Sequence, residues 1–347
     1  MSPMSSRKRQ QMRRRRIFFL CCLCFLIVIC VLVGILISRI TAKPTSQNNP
    51  TGEGSTQEVS APITNESDNS QEISEMSQQE SLPPTPTIPA GYEKLSLSEE
   101  AIHEGVLILI NKDYAYTFTE DKEYVTLYDI MGDLFTVRGT DVKVDAIVAD
   151  PLCQMFEDFY EISGHRDICV LWGYRSKEEA EDLFNESVEE NGLEHALMYV
   201  MKPGYSEHHT ALGLDFHIVR SDISFDFAPT PPYDWFYENS QNYGFVLRYP
   251  EDKVDITDIA YESWHFRYLG IPNATAVYNE GLCLEEYIDF IKQYTADGEH
   301  YHVNAIDGNY EIYYCPGTDV IVPIDKPYEI SGNNIDGFIV TVKASTN

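Results

Sequence analysis

An α+β fold is predicted for the region after residue 90, on three observations. Apolar runs of strand length at residues 105–110 and 168–172 are interspersed with helical periods such as Leu152, Met155, Phe156 and Phe159. The two patterns alternate irregularly, without the regular strand–helix succession of a doubly wound sheet. No Gly-rich phosphate loop is present.

Taken in order, residues 105–110 read as a buried strand and residues 152–159 as one face of a helix. Residues 168–172 form a second buried strand. Ser176 with Glu179 three positions later is a capping box, followed at helical spacing by Ala180, Leu183, Phe184 and Val188. Residues 213–218 predict a strand, and residues 233–243 a helix that stops at Gly244. After a helix around 284–294, residues 309–315 and 337–343 return to short strands. Residues 299–347 are therefore expected to form a small β appendage to a main domain at 91–298.

Charge divides the chain further. Its 347 residues carry a net charge of −30, which disfavours a phosphate backbone and excludes nucleic acid as a partner. Residues 1–40, however, hold eight basic and no acidic side chains, whereas residues 91–347 hold sixteen basic and forty-eight acidic ones. Basic residues 1–16 precede an apolar run at 17–38, of which residues 17–37 carry no charge. As a helix, that stretch is about 31 Å long, close to the hydrocarbon thickness of a bilayer. The expectation is one transmembrane helix with a cytoplasmic N-terminus and everything after Arg39 extracytoplasmic. A cleavable signal peptide ending near Ala42 is the alternative, against which the long apolar run and the poor cleavage pattern both count. Residues 39–90 are rich in Ser, Thr and Pro, and from residue 41 to 90 no aromatic occurs. Such a segment reads as a disordered tether. Cys153, Cys169, Cys283 and Cys315 have no Cys-x-x-Cys spacing, so they make no zinc ribbon; disulfides and buried thiols both remain open.

Three short segments concentrate the chemistry: Gly173-Tyr-Arg-Ser176, residues 206–215 (SEHHTALGLD) and residues 261–268 (YESWHFRY). Two imidazoles and one carboxylate suit Zn²⁺, which needs only three protein ligands when it is catalytic. His208 and Asp215 are seven apart, too far for one helical turn, and converge only if a loop or helix end feeds a strand. Glu262, three before His265, can approach such a site without ligating. Each residue alone is weak, because a lone His is usually structural and an Asp beside a strand is usually a cap.

In combination, the residues resemble the VanY-type D-alanyl-D-alanine carboxypeptidases, zinc peptidases of the LAS group. That family's pattern is Ser-x-His-x-x-Gly-x-Ala-x-Asp, followed downstream by Glu-x-x-His, often Glu-x-Trp-His. This chain offers Ser206, His208 and Asp215, then Glu262, Trp264 and His265. Residues 235–250 and the Gly-Tyr-Arg-Ser turn extend the likeness, which covers roughly residues 100–295. Ala211 and Gly213 exchange the family's Gly and Ala, and Ala180 stands where many relatives have Gln. His209 and His217 flank the motif outside its ligand positions.

The resemblance implies a LAS-type antiparallel sheet with helices and one Zn²⁺ per chain on His208, Asp215 and His265. It implies Glu262 as general base, Arg175 as oxyanion or carboxylate partner, and Ser206 and Trp264 as substrate contacts. The implied reaction is hydrolysis of the terminal D-alanyl-D-alanine bond of a peptidoglycan stem peptide, a substrate outside the cell membrane. A peptidoglycan endopeptidase of the same zinc chemistry and a non-catalytic wall-binding domain are the alternatives.

Overall fold

The computed structural model describes residues 88–119, 122–221 and 223–344. The basic segment, the apolar run and the Ser/Thr/Pro-rich stretch up to residue 87 lie outside them. No helix among the described residues is long and apolar enough to cross a membrane.

The strands of the first half are β1 (Tyr92–Ser96), β2 (Tyr124–Thr126), β3 (Thr136–Val137), β4 (Lys143–Asp145), β5 (Ile168–Trp172), β6 (Gly213–Arg220) and β7 (Ile223–Asp226). Among them run α1 (Ala146–Ser163), α2 (Lys177–Asn191) and α3 (Leu193–Tyr199). Then follow α4 (Asp234–Asn239), β8 (Phe245–Leu247), β9 (His265–Tyr268), α5 (Ile271–Glu280) and α6 (Leu284–Ile291). The chain ends in β10 (Tyr301–Ala305), β11 (Gly308–Pro316), β12 (Asp319–Pro323), β13 (Tyr328–Gly332) and β14 (Gly337–Lys343).

The main sheet runs β3-β5-β6-β9-β8, with β7 also paired to β6. Its pairs are antiparallel except β3 with β5. Alternation along β6 explains its two faces: Leu214, Phe216 and Ile218 enter a core with Phe156, Phe236 and Phe266, while Gly213 and Asp215 face the other way. Helix α1 closes that core with Val148, Leu152, Met155, Phe156 and Phe159. The capping box of α2 forms as expected, with the Glu179 N–H on Ser176 Oγ at 3.1 Å and the Ser176 N–H on Glu179 at 2.8 Å.

Two expectations differ in detail. Residues 233–243 split into α4 and a tighter turn at Ser240–Tyr243 before Gly244. Residues 105–110 join no ladder, and of them 107–110 are buried while Gly105 is exposed. Side chains and a loop carbonyl occupy their backbone groups instead. Leu107 N–H donates to Ser331 Oγ (2.9 Å), Leu109 N–H to the Asn333 carbonyl (3.2 Å), and Arg267 Nη2 to the carbonyls of Val106 and Ile108. An apolar run marks burial, and it does not say which groups will satisfy the backbone.

The C-terminal strands form a sheet ordered β10-β11-β14-β13, and β12 pairs with β1 from the other end of the described region. Val303, Tyr310, Ile312 and Ile339 share a core with Leu284, Tyr287, Ile288 and Ile291 of α6. This β segment thus packs directly against the preceding helices. Cys153, Cys169, Cys283 and Cys315 are free thiols.

The end of β5 approaches β4 closely. Tyr174 N–H donates to the Lys143 carbonyl at 2.6 Å, and a Cβ on Gly173 would lie 2.2 Å from that same oxygen. Backbone on both sides leaves little room to yield. Gly173→Ala is expected to cost about 1–3 kcal/mol, read as a lower urea midpoint; an unchanged midpoint would show that the strand end adapts.

Candidate active site

One cleft collects every residue that the sequence marked. Arg175, Ser206, His208, Asp215, Glu262, Trp264 and His265 all line a cavity of about 180 Å³. They converge through the sheet. Asp215 of β6 lies opposite Trp172 of β5 on one side and opposite His265 of β9 on the other. His208 arrives from a 3₁₀ turn at Glu207–Thr210, which passes through a left-handed residue, Ala211 (φ 60°), into β6. That turn answers the seven-residue spacing, since a helix end feeding a strand brings His208 back over Asp215.

The donor geometry is defined. His208 Nδ1 donates to the Gly173 carbonyl at 2.8 Å, leaving Nε2 as the acceptor-capable nitrogen, 3.2 Å from Asp215 Oδ2. His265 Nδ1 lies 2.8 Å from Asp215 Oδ1. One ligand atom from each of His208, Asp215 and His265 lies within 4.8 Å of the others, and all three residues are buried. Two imidazole nitrogens and one carboxylate oxygen, with the remote nitrogen of His208 already engaged, fit a zinc ion. His209 is not part of this set. Its Nδ1 donates to the Arg175 carbonyl and its Nε2 accepts the Gly204 N–H, so both nitrogens are used. Burial lowers its pKa to about 4.

Glu262 sits beside the donors, its Oε2 3.9 Å from His265 Nδ1. Burial, reinforced by the Asp215 charge and opposed by His265, pushes its carboxyl up to about 8. Burial works against the charge on Asp215, yet the two imidazoles hold it ionised well below the usual carboxylate range. For His265 burial favours the neutral ring, but the hydrogen bond to Asp215 and the nearby carboxylate of Glu207 prevail and raise it to about 9. The Arg175 guanidinium is almost wholly buried, lies 4.8 Å from the centre of the Trp172 ring, and leaves its Nε without a hydrogen-bond partner. Ser206 is buried in the cleft wall, and half-buried Trp264 packs partly against the core.

The structure adds residues that the motifs did not single out. Glu207, Arg248 and Arg267 are buried behind the donors, with Arg248 Nε 2.6 Å and Arg267 Nη1 2.9 Å from Glu207 Oε1. Arg248 also donates to Glu285 at the start of α6 through Nη1 (2.8 Å) and Nη2 (2.7 Å). All but Glu285 lay inside segments quoted for the resemblance. Their only signal was charge at positions where a strand or turn would be buried.

The pH dependence of the metal-free protein follows from two raised values. An unfolded Glu loses its proton near 4.5 and an unfolded His near 6.5, whereas folded Glu262 and His265 hold theirs to about 8 and about 9. Between those limits the folded state binds more protons, so stability falls as pH rises. The melting temperature of chelator-treated protein is expected to drop from pH 6 to pH 9, and the drop should shrink when zinc is supplied. A flat profile without metal would contradict these assignments.

Comparison with known proteins agrees with the geometry. The family model described as VanY, D-alanyl-D-alanine carboxypeptidase, matches residues 141–271. A D-alanyl-D-alanine carboxypeptidase of Enterococcus faecium is 34% identical over 256 residues, covering 72% of this chain and 79% of that protein. The bifunctional D-Ala-D-Ala dipeptidase and carboxypeptidase VanXYC of Enterococcus gallinarum is 36% identical over 154 residues, or 43% of this chain and 81% of its own length. Among solved structures, the D,D-dipeptidase VanXYg in complex with a D-Ala-D-Ala phosphinate analogue aligns with a TM-score of 0.66 and 36% identity. That alignment covers 73% of this chain and 99% of the other. With its mixed α/β fold and its His–Asp–His site, the chain belongs to the VanY family of D-alanyl-D-alanine carboxypeptidases.

Proposed function

We propose that this protein hydrolyses the terminal D-alanyl-D-alanine bond of peptidoglycan stem peptides, with Zn²⁺ held by His208, Asp215 and His265. One observation carries the reading. A three-donor metal set, a buried acid that does not belong to it and a buried guanidinium whose Nε lacks a hydrogen-bond partner all face the same small cleft.

The side chains divide the work. Glu262 takes a proton from the attacking water as the oxygen–carbonyl bond forms, and gives it to the departing D-alanine nitrogen as the C–N bond breaks. Bound there, zinc supplies a Lewis acid that polarises the scissile carbonyl and the water and favours ionised Glu262. Arg175, its Nε lacking a hydrogen-bond partner, receives negative charge from the substrate, either the developing oxyanion or the terminal carboxylate. Ser206 contacts substrate next to His208, and Trp264 walls the cleft.

The N-terminal sequence supports an anchored reading. A basic segment before an uncharged run of bilayer length places residues 91–347 outside the membrane, where stem peptides lie, with residues 39–90 as a tether. Membrane fractionation with protease accessibility on intact cells tests this. A soluble protein starting near residue 43 would show instead that the segment is cleaved.

Glu262→Gln is expected to keep about one zinc per chain while hydrolysis falls about 10²- to 10⁴-fold; retained activity would move the base elsewhere. Offering the full chain a stem pentapeptide, D-alanyl-D-alanine and a cross-linked dimer, with products weighed by mass spectrometry, tests specificity. Release of one D-alanine from the pentapeptide is expected. Cleavage confined to the dimer would make the protein an endopeptidase, and cleavage confined to the dipeptide a dipeptidase.

A further inference from the structure

The two histidine ligands are oriented by different means. The remote nitrogen of His208 is tied to a backbone carbonyl, that of Gly173. The ring of His265 points its Nδ1 at Asp215, so its remote nitrogen is Nε2. This atom is buried and has no hydrogen-bond partner. Its nearest acceptor is Glu207 Oε2 at 3.6 Å, which is equally buried and equally without a hydrogen-bond partner. That distance is longer than an ordinary N–H···O bond. Two complementary orphan atoms facing each other in a closed space nonetheless define one another's partner.

Among the described residues, the one other buried donor beside Glu207 without a hydrogen-bond partner, Arg267 Nη1, lies 2.9 Å from the opposite oxygen, Oε1. His265 is 3% exposed and Glu207 2%. Next to the ring lies Gly213, where a Cβ would stand 3.0 Å from Nε2 and 3.2 Å from Cε1. The glycine lets β6 pass under the imidazole edge without offering a polar group of its own side chain. On the far side of Glu207, a single oxygen, Oε1, takes both Arg248 and Arg267. A carboxylate serving only to neutralise the two arginines would share both oxygens between them. Here one oxygen is committed to the cations and the other is kept for the histidine.

We propose that Glu207 is the positioning residue of the metal site: its Oε2 accepts the Nε2–H of His265 and thereby presents the Nδ1 lone pair to the ion shared with His208 and Asp215. Arg248 and Arg267 hold the carboxylate at its post. The 3₁₀ turn therefore supplies one ligand, His208, and from the preceding residue the group that orients the other. A carboxylate behind a ligating imidazole fixes its tautomer and makes it a stronger donor.

This inference rests on the zinc reading above, and its test keeps the two apart. Zinc affinity is measured by chelator competition on the full chain, for the parent, Glu207→Gln and Glu285→Gln. Both variants remove a carboxylate charge paired with Arg248, but only the first faces His265. Glu207→Gln is expected to bind zinc about 10- to 100-fold more weakly, with kcat lowered more than KM is raised. Glu285→Gln is expected to stay near the parent. Equal affinity in Glu207→Gln and the parent, or equal losses in the two variants, would reduce Glu207 to a counter-charge. Should Glu207→Gln fail to fold, the parent decides the matter. With histidine-selective ¹⁵N labelling and zinc bound, the His265 ring should show a protonated Nε2 with a downfield, exchange-protected proton. A bare Nε2, or one whose proton exchanges freely, would overturn the proposal. A parent chain that binds no zinc would instead defeat the reading on which it rests.

Discussion

The active cleft depends on a register. Antiparallel pairing sets Asp215 of β6 across from His265 of β9, and on its other edge across from Trp172 of β5. Side chains directly opposite on neighbouring strands stand about 4.5–5.5 Å apart at Cβ, near enough to share one ion. A slip of one residue in either ladder would send Asp215 into the aromatic core and Leu214 or Phe216 into the cleft. The packing of Phe216 on Phe266 and Phe156 therefore does more than bury area. It penalises every register in which the ligands would miss one another.

Behind the donors, the chain accepts an arrangement that adds little net stability. Arg248, Arg267 and Glu207 are desolvated together, and replacing such clusters with apolar groups is often neutral or stabilising, whereas losing one member costs about 3–5 kcal/mol. Their value lies in what they connect. Arg248 reaches from Glu207 to Glu285 on α6, and Arg267 reaches from Glu207 to the carbonyls of Val106 and Ile108. The C-terminal half of the core, the ladderless buried segment and the ligand turn thus meet at one carboxylate. Burial opposes its charge, but Arg248 and Arg267 keep Glu207 ionised well below the usual carboxylate range.

This division explains what could be read from the sequence. Residues 168–172 became β5, residues 337–343 became β14 and the Ser176–Glu179 cap formed, because apolar runs and caps act locally. That His208, Asp215, His265 and Glu262 belong together was legible from the order of two motifs, although neither motif alone specified their convergence in one cleft. Glu207 was not legible, even inside the quoted motif, because its role needs the ring of His265 fifty-eight positions away and two arginines, one just after β8 and one in β9. Residues 105–110 misled for a similar reason: their partners include the side chains of Arg267, Ser331 and Asn334, and no pattern of period two announces those.

The exchange of small residues at 211 and 213 is where local cost and site geometry can be weighed. Ala211 holds a left-handed backbone (φ 60°), which costs an L-residue roughly 1–2 kcal/mol relative to its favoured conformations. Glycine, the family's usual residue there, avoids most of this. The methyl of Ala211 is fully buried, recovering about 0.8 kcal/mol, so much of the strain is offset where it arises. At 213 the balance differs in kind. A methyl there would press on the imidazole edge of His265 at 3.0 Å, on the side where Nε2 faces Glu207. Strain in a turn is a fixed cost to folding, but a shifted ligand alters every bond that the ion makes. Placing the methyl at 211 and bare backbone at 213 puts the cost in the turn and leaves the His265 edge clear.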